Sequence, residues 1–96
     1  MTPRILVVED EAALATLLSY NLEKAGFAVA LAATGEDALL GLAEDPPDLV
    51  LLDWMLPHVS GIEVCRRIRR APETRDLPVI MLTARGEEAD RIRGLD

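Results

Sequence analysis

Four short apolar runs, separated by segments of helical periodicity, constrain the fold of this 96-residue chain more than any other feature. The runs at residues 5–8, 49–52 and 79–82 are continuous and aliphatic, whereas the run at residues 27–31 is rich in alanine. Continuous apolar strands are typical of parallel sheets, because helices cover both faces of such sheets. We therefore expect the alanine-rich run to form a less buried, outer strand.

The segments between the runs carry apolar residues at helical spacing. The first predicted helix ends near Gly26, which lies where a C-terminal cap belongs. Thr34 and Asp37 resemble a capping box at the start of a second helix. A third helix follows Gly61, and a fourth is predicted at about residues 87–95. The order β-α-β-α-β-α-β-α predicts an α/β fold with a parallel sheet and right-handed crossovers.

Size, charge and cysteine content limit the class of protein. The length allows one domain, spanning residues 1–96. A net charge of −7 argues against direct nucleic-acid binding by this domain. The single cysteine, Cys65, excludes an internal disulfide and suits a reducing compartment. No apolar run approaches the ~20 residues that span a membrane. We therefore expect a soluble, cytoplasmic domain.

Acidic residues follow the strands at the ends where ligands bind in open parallel sheets. Glu9 and Asp10 follow the first run, and Asp53 follows the third. If strands 1 and 3 are neighbours, these three carboxylates meet in one pocket. An alternative interpretation is that Asp10 or Glu11 simply caps the following helix.

Clustered carboxylates repel one another unless a positive charge lies between them. An all-oxygen cluster suits a hard divalent cation, with Mg²⁺ the leading candidate. Asp10 and Asp53 would then bind the ion directly and Glu9 through water. One carboxylate would remain free to attack phosphorus. The Thr83 hydroxyl and the Ala84 backbone N–H, which follow the fourth run, could donate hydrogen bonds to a phosphoryl oxygen.

The segment from Asp53 through Pro57 to Gly61 resembles the phosphoacceptor loop of response-regulator receiver domains of bacterial two-component signalling. Residues 5–10 resemble the first strand of that family with its acidic pair, and residues 79–84 resemble its fourth strand with the switch hydroxyl. The chain looks most like the phosphate-regulon type within the winged-helix class of DNA-binding transcription factors.

This resemblance implies a flavodoxin-like, doubly wound sheet, here with four strands in the order 2-1-3-4. It implies a signalling module rather than an enzyme, with a histidine kinase that donates a phosphoryl group to Asp53. Glu9, Asp10, Asp53 and the backbone carbonyl of Met55 would hold Mg²⁺. Thr83 would act as the switch hydroxyl that passes the change on to a transcriptional output.

The length departs from the family pattern of five strands and five helices. The chain has no counterpart of the fifth βα unit or of the lysine that ends its strand, because Lys24 belongs to the first helix. We therefore expect residues 1–96 to be a C-terminally truncated receiver domain with impaired phosphorylation. An exposed strand 4 edge would favour self-association, by edge pairing or by exchange of elements between chains.

Two other functions stay open. The chain could be a receiver-like interaction module, or an oligomerising fragment, that is not phosphorylated. It could also be an aspartate-based phosphotransferase, although the Asp-x-Asp motif usual in such enzymes does not occur at Asp53. The combination of Glu9, Asp10, Asp53 and Thr83 favours the phosphoacceptor.

Overall fold

A computed structural model describes residues 2–82 of the protein. Its elements, in chain order, are β1 (Arg4–Val8), α1 (Ala12–Lys24), β2 (Ala28–Ala32), α2 (Gly35–Glu44), β3 (Leu49–Asp53), α3 (Gly61–Arg70) and β4 (Val79–Leu82). The predicted alternation of strands and helices is confirmed over this range. The fourth predicted helix, at residues 87–95, lies outside the described residues.

The four strands form one parallel sheet in the order β2-β1-β3-β4, which confirms the predicted order. The chain adds β2 on one side of β1 and β3 on the other, so the strand order reverses between β1 and β3. Val8 pairs with Leu52 at the carboxyl ends of these two strands. The residues that follow Val8 and Leu52 therefore lie side by side at the point where doubly wound sheets bind their ligands.

The core occupies both faces of the sheet, because successive side chains of a strand point to opposite faces. Val8, Val50 and Leu52 are fully buried on the face covered by α2 and α3. Ile5 and Val7 are buried on the other face, which α1 covers. The continuous apolar runs of β1 and β3 follow from this burial on two sides. The outer strand β2 is only partly buried, as its alanine content predicted.

Side-chain caps begin two of the three described helices. The Thr34 hydroxyl accepts a hydrogen bond of 3.0 Å from the Asp37 backbone N–H at the start of α2. The Ser60 hydroxyl accepts one of 3.2 Å from the Glu63 backbone N–H at the start of α3. At α1 the N-cap residue is Glu11, whose side chain makes no capping hydrogen bond. Helix capping by the Glu11 side chain therefore does not explain why this acid follows β1.

Candidate metal and phosphoacceptor site

Three carboxylates meet beyond the adjacent ends of β1 and β3. Glu9 and Asp10 come directly after β1, and Asp53 is the last residue of β3. One carboxylate oxygen from each residue lies within 4.8 Å of those of the other two. Glu9 and Asp53 are each only 4% exposed, whereas Asp10 is exposed. The structure thus brings together the three acids that the sequence predicted as neighbours.

The two oxygens of Glu9 have different surroundings. Oε2 accepts a hydrogen bond of 3.1 Å from the backbone N–H of Glu11. Oε1 is buried and has no hydrogen-bond partner within the described part of the chain. A buried carboxylate oxygen without a partner is costly, since burial removes its hydration. A hard cation bound between Glu9, Asp10 and Asp53 would supply the missing partner, so the donor set fits Mg²⁺.

The same surroundings raise the pKa of Glu9 from its ordinary value of 4.5 to about 7. Burial of the carboxyl group is the largest cause, and the negative charges of Asp53 and Asp10 raise the pKa further. The hydrogen bond from the Glu11 backbone partly offsets these effects. A bound divalent cation would favour the ionised form of Glu9, because opposite charge lowers the pKa of a carboxyl group.

The loop that follows β3 holds the Asp53 carboxylate in place. The backbone N–H of Met55 donates a hydrogen bond of 3.1 Å to Asp53 Oδ1. The donor lies two positions after the acceptor in the chain, as in an Asx turn. The turn fixes the carboxylate at the end of the strand. The predicted role of the Met55 carbonyl as a metal ligand stays a prediction.

Gly61 closes this loop at its far end. Its backbone N–H donates a hydrogen bond of 3.0 Å to the carbonyl of Trp54. A Cβ atom at this position would overlap the carbonyl oxygen of Asp53 and the Cα atom of Trp54. Only glycine allows so close an approach of two backbone segments. The sequence predicted that a helix follows Gly61, but not the contact of Gly61 with the backbone of Asp53.

Two predicted site residues, Thr83 and Ala84, lie outside the described residues. Leu82, the last residue of β4, pairs with Asp53 in the sheet register. The predicted hydrogen bonds from the Thr83 hydroxyl and the Ala84 backbone therefore stay predictions.

Two arginines of α3 pair with an acid of the same helix. Arg66 and Arg67 form ion pairs of 2.6 and 3.0 Å with Glu63 on the exposed side of the helix. Cys65 is partly buried against the core.

Between residues 2 and 82, the helices are all too short or too polar to cross a bilayer.

A parallel sheet whose strand order reverses between β1 and β3, with clustered acids at that point, defines a doubly wound α/β domain with a candidate ligand site at this edge. The family model for the response regulator receiver domain matches residues 5–96. The chain belongs to this family.

Curated relatives agree with this assignment. The chain is 62% identical over 95 residues to the phosphate regulon transcriptional regulatory protein PhoB of Rhizobium meliloti, covering 99% of this chain and 42% of that protein. It is 52% identical over 96 residues to PhoB of Escherichia coli, covering 100% of this chain and 42% of that protein. The chain thus spans less than half the length of these relatives.

Solved structures are similar over nearly the whole chain. A response regulator from Chloroflexus aurantiacus superposes with a TM-score of 0.90 at 37% identity, covering 99% of this chain and 78% of that one. The receiver domain of a sensor histidine kinase from Pseudomonas aeruginosa has a TM-score of 0.87 at 33% identity, covering 96% and 75%. The latter was solved with a magnesium ion coordinated in its active site cleft.

Proposed function

We propose that this chain accepts a phosphoryl group on Asp53 from a histidine kinase, in a reaction that requires Mg²⁺, and that the phosphorylated form switches a transcriptional output. Receiver domains are in general signalling modules rather than enzymes, and this one is of the PhoB-like type. The observation that carries the proposal is the placement of Asp53. It ends β3, is buried, and has its carboxylate within 4.8 Å of those of Glu9 and Asp10.

Four groups would hold the cation: the carboxylates of Glu9, Asp10 and Asp53 and the backbone carbonyl of Met55. All are oxygen donors, the ligands that Mg²⁺ prefers. When bound, Mg²⁺ would neutralise the acidic pocket and stabilise the charge on the phosphoryl oxygens. The unpartnered Oε1 atom of Glu9 supports this assignment, because it is a buried acceptor that the described protein groups leave unsatisfied.

Asp53 is the group that reacts. An oxygen of its ionised carboxylate attacks the phosphorus of a phosphohistidine, and the P–N bond breaks with its electron pair passing to the imidazole nitrogen. The Met55 N–H restricts rotation of the Asp53 carboxylate, so the attacking oxygen is positioned before the donor arrives. Burial of Asp53 limits the access of water and so slows hydrolysis of the acyl phosphate. Thr83 and Ala84 are proposed to donate hydrogen bonds to the phosphoryl oxygens.

The proposal is tested by Mg²⁺ titration followed by phosphorylation. Trp54 is the only tryptophan and directly follows Asp53, so its fluorescence should change as Mg²⁺ binds. A small phosphoramidate donor should then give at most one acid-stable, base-labile adduct per chain. Asp53→Asn should abolish this adduct, and Asp76→Asn, at an exposed acid elsewhere, should leave it unchanged.

The outcomes separate the candidate functions. Labelling that persists in Asp53→Asn would refute the acceptor assignment. A Mg²⁺ response without any adduct would fit a receiver domain with impaired phosphorylation or an interaction module that is not phosphorylated. Release of many phosphates per chain would favour a phosphotransferase or phosphatase enzyme.

A further inference from the structure

Gly35, the first residue of α2, lies directly against the loop that follows Asp53. A Cβ atom at Gly35 would lie 2.7 Å from the carbonyl oxygen of Val59 and 2.9 Å from Cγ2 of Val64. The first distance is the important one, because a carbonyl oxygen belongs to the backbone and cannot rotate away as a side chain can. The start of α2 therefore packs on the backbone of this loop.

The loop at residues 54–60 is thus approached by backbone from two sides. Gly61 touches the Asp53 and Trp54 end, and Gly35 touches the Val59 end. The hydrogen bond from the Gly61 N–H to the Trp54 carbonyl ties the two ends of the loop together. A displacement of the Val59 backbone would therefore also displace Trp54 and Asp53.

Helix α2 is packed more tightly into the core than the loop at residues 54–60. Ala38 and Leu42 of α2 are 0% and 5% exposed and belong to the same core cluster as Val64 of α3. In the loop, Pro57 and His58 are exposed, Val59 is only partly buried, and Leu56 alone is buried in the core cluster. Close-packed cores resist displacement, whereas exposed loops yield more easily. An added methyl group at Gly35 would consequently move the loop rather than α2.

We propose that Gly35 is a positioning residue for the phosphoacceptor site. By leaving room for the Val59 carbonyl, it sets the position of the loop and hence of the Met55 N–H that orients Asp53. This inference rests on the proposed function for its kinetic consequence. The sequence signal was present but indirect: glycine is a poor helix former, yet it occupies the first position of α2, after the Thr34 cap.

The main test is Gly35→Ala, assayed by Mg²⁺ titration with Trp54 fluorescence and by the rate of Asp53 labelling. A misplacement of about 1 Å can reduce a reaction rate by about 100-fold. We expect Mg²⁺ affinity at least tenfold lower than in the wild type and labelling slowed by a similar or larger factor.

Two control variants on the same helix separate positioning from simple destabilisation. Gly41→Ala makes the same chemical change where, among residues 2–82, no atom outside the neighbouring residues and backbone of α2 lies within 4 Å of the added Cβ. Thr34→Ala removes the α2 cap without adding an atom near the loop. Both should bind Mg²⁺ within twofold of the wild type. A Gly35→Ala protein that also binds within twofold, or a Thr34→Ala protein that loses as much affinity, would overturn the proposal.

A structural measurement keeps the inference distinct from the proposed function. In metal-free protein, the backbone amide resonances of Met55 and Val59 should shift in Gly35→Ala and stay unchanged in Gly41→Ala. If the wild type neither binds Mg²⁺ nor becomes labelled, the proposed function fails, while these shifts still test the contact. If Gly35→Ala does not fold alone, the same comparison is made in a Gly41→Ala background with added sucrose, since both raise stability. Unchanged resonances would refute the inference.

Discussion

Replacing Glu9 by glutamine should stabilise the metal-free protein at neutral and alkaline pH. The pKa of Glu9 is raised from 4.5 to about 7, with burial as the main cause. Each pKa unit corresponds to about 1.4 kcal/mol, so ionised Glu9 costs the folded state about 3 kcal/mol. Glutamine keeps the shape of the side chain but carries no charge, and should therefore recover most of this free energy.

The pH range of the effect follows from the two pKa values. Below pH 4.5 Glu9 is protonated in both the folded and the unfolded states, so its contribution to stability is fully present. Between pH 4.5 and about 7 the folded state holds the proton that the unfolded state has lost. Stability is therefore lost as the pH rises through this window. Above pH 7 both states are ionised, and the loss is complete.

Urea unfolding at pH 5 and pH 8, without divalent cations, measures this effect. Between pH 5 and pH 8, the free energy of unfolding should fall by about 2–3 kcal/mol more in the wild type than in Glu9→Gln. Adding Mg²⁺ at pH 8 should stabilise the wild type by mass action and stabilise the variant less. Equal pH dependence in the two proteins would refute the reasoning, because it would show that Glu9 titrates normally in the folded state.

Three further predictions concern backbone geometry and the edge of the sheet. Gly61→Ala should lower the free energy of unfolding by about 2 kcal/mol or more, because the added Cβ meets backbone atoms. Thermal denaturation measures this effect, and in the same assay Gly41→Ala should be neutral or stabilising by up to about 1 kcal/mol. Equal effects of the two substitutions would contradict this prediction. His58 has a φ of 63°, so His58→Gly should relieve strain and raise stability in urea by up to about 1 kcal/mol; a loss of stability would contradict it. β4 is the outer strand of the described sheet, and Ile80 is 52% exposed. We therefore expect sedimentation velocity to show concentration-dependent association, which Ile80→Lys should weaken. A wild-type protein that stays monomeric at high concentration would contradict this expectation.

The sequence was sufficient for the fold and for the position of the acids because both depend on simple periodic patterns. Residues 5–8 and 49–52 are short continuous apolar runs, a pattern that favours strands covered on two faces. Parallel neighbours then bring Glu9 and Asp53 to one edge of the sheet. The switch point then follows from strand order alone.

The contacts within the site could not be predicted in the same way. Whether Glu9 Oε1 finds a partner depends on side-chain rotamers and on the depth of burial, neither of which has a sequence pattern. The approach of Gly35 to the Val59 carbonyl joins residues far apart in the chain, through the packing of α2 beside α3. Such contacts are fixed by the assembled core, so local sequence signals do not reveal them.

The hydrogen bond between the Gly61 N–H and the Trp54 carbonyl has a consequence for sequence variation in this loop. It joins the two ends of the loop, and buried Leu56 fixes its base, so exposed Pro57 and His58 form a separate tip. Tips of this kind tolerate substitution and insertion, because few contacts connect them to the rest of the fold. Substitution of the exposed His58 side chain can therefore be tolerated without moving the carboxylate beside it, whereas Pro57 and the spacing from Asp53 to Gly61 belong to the pattern that this loop shares with the receiver family.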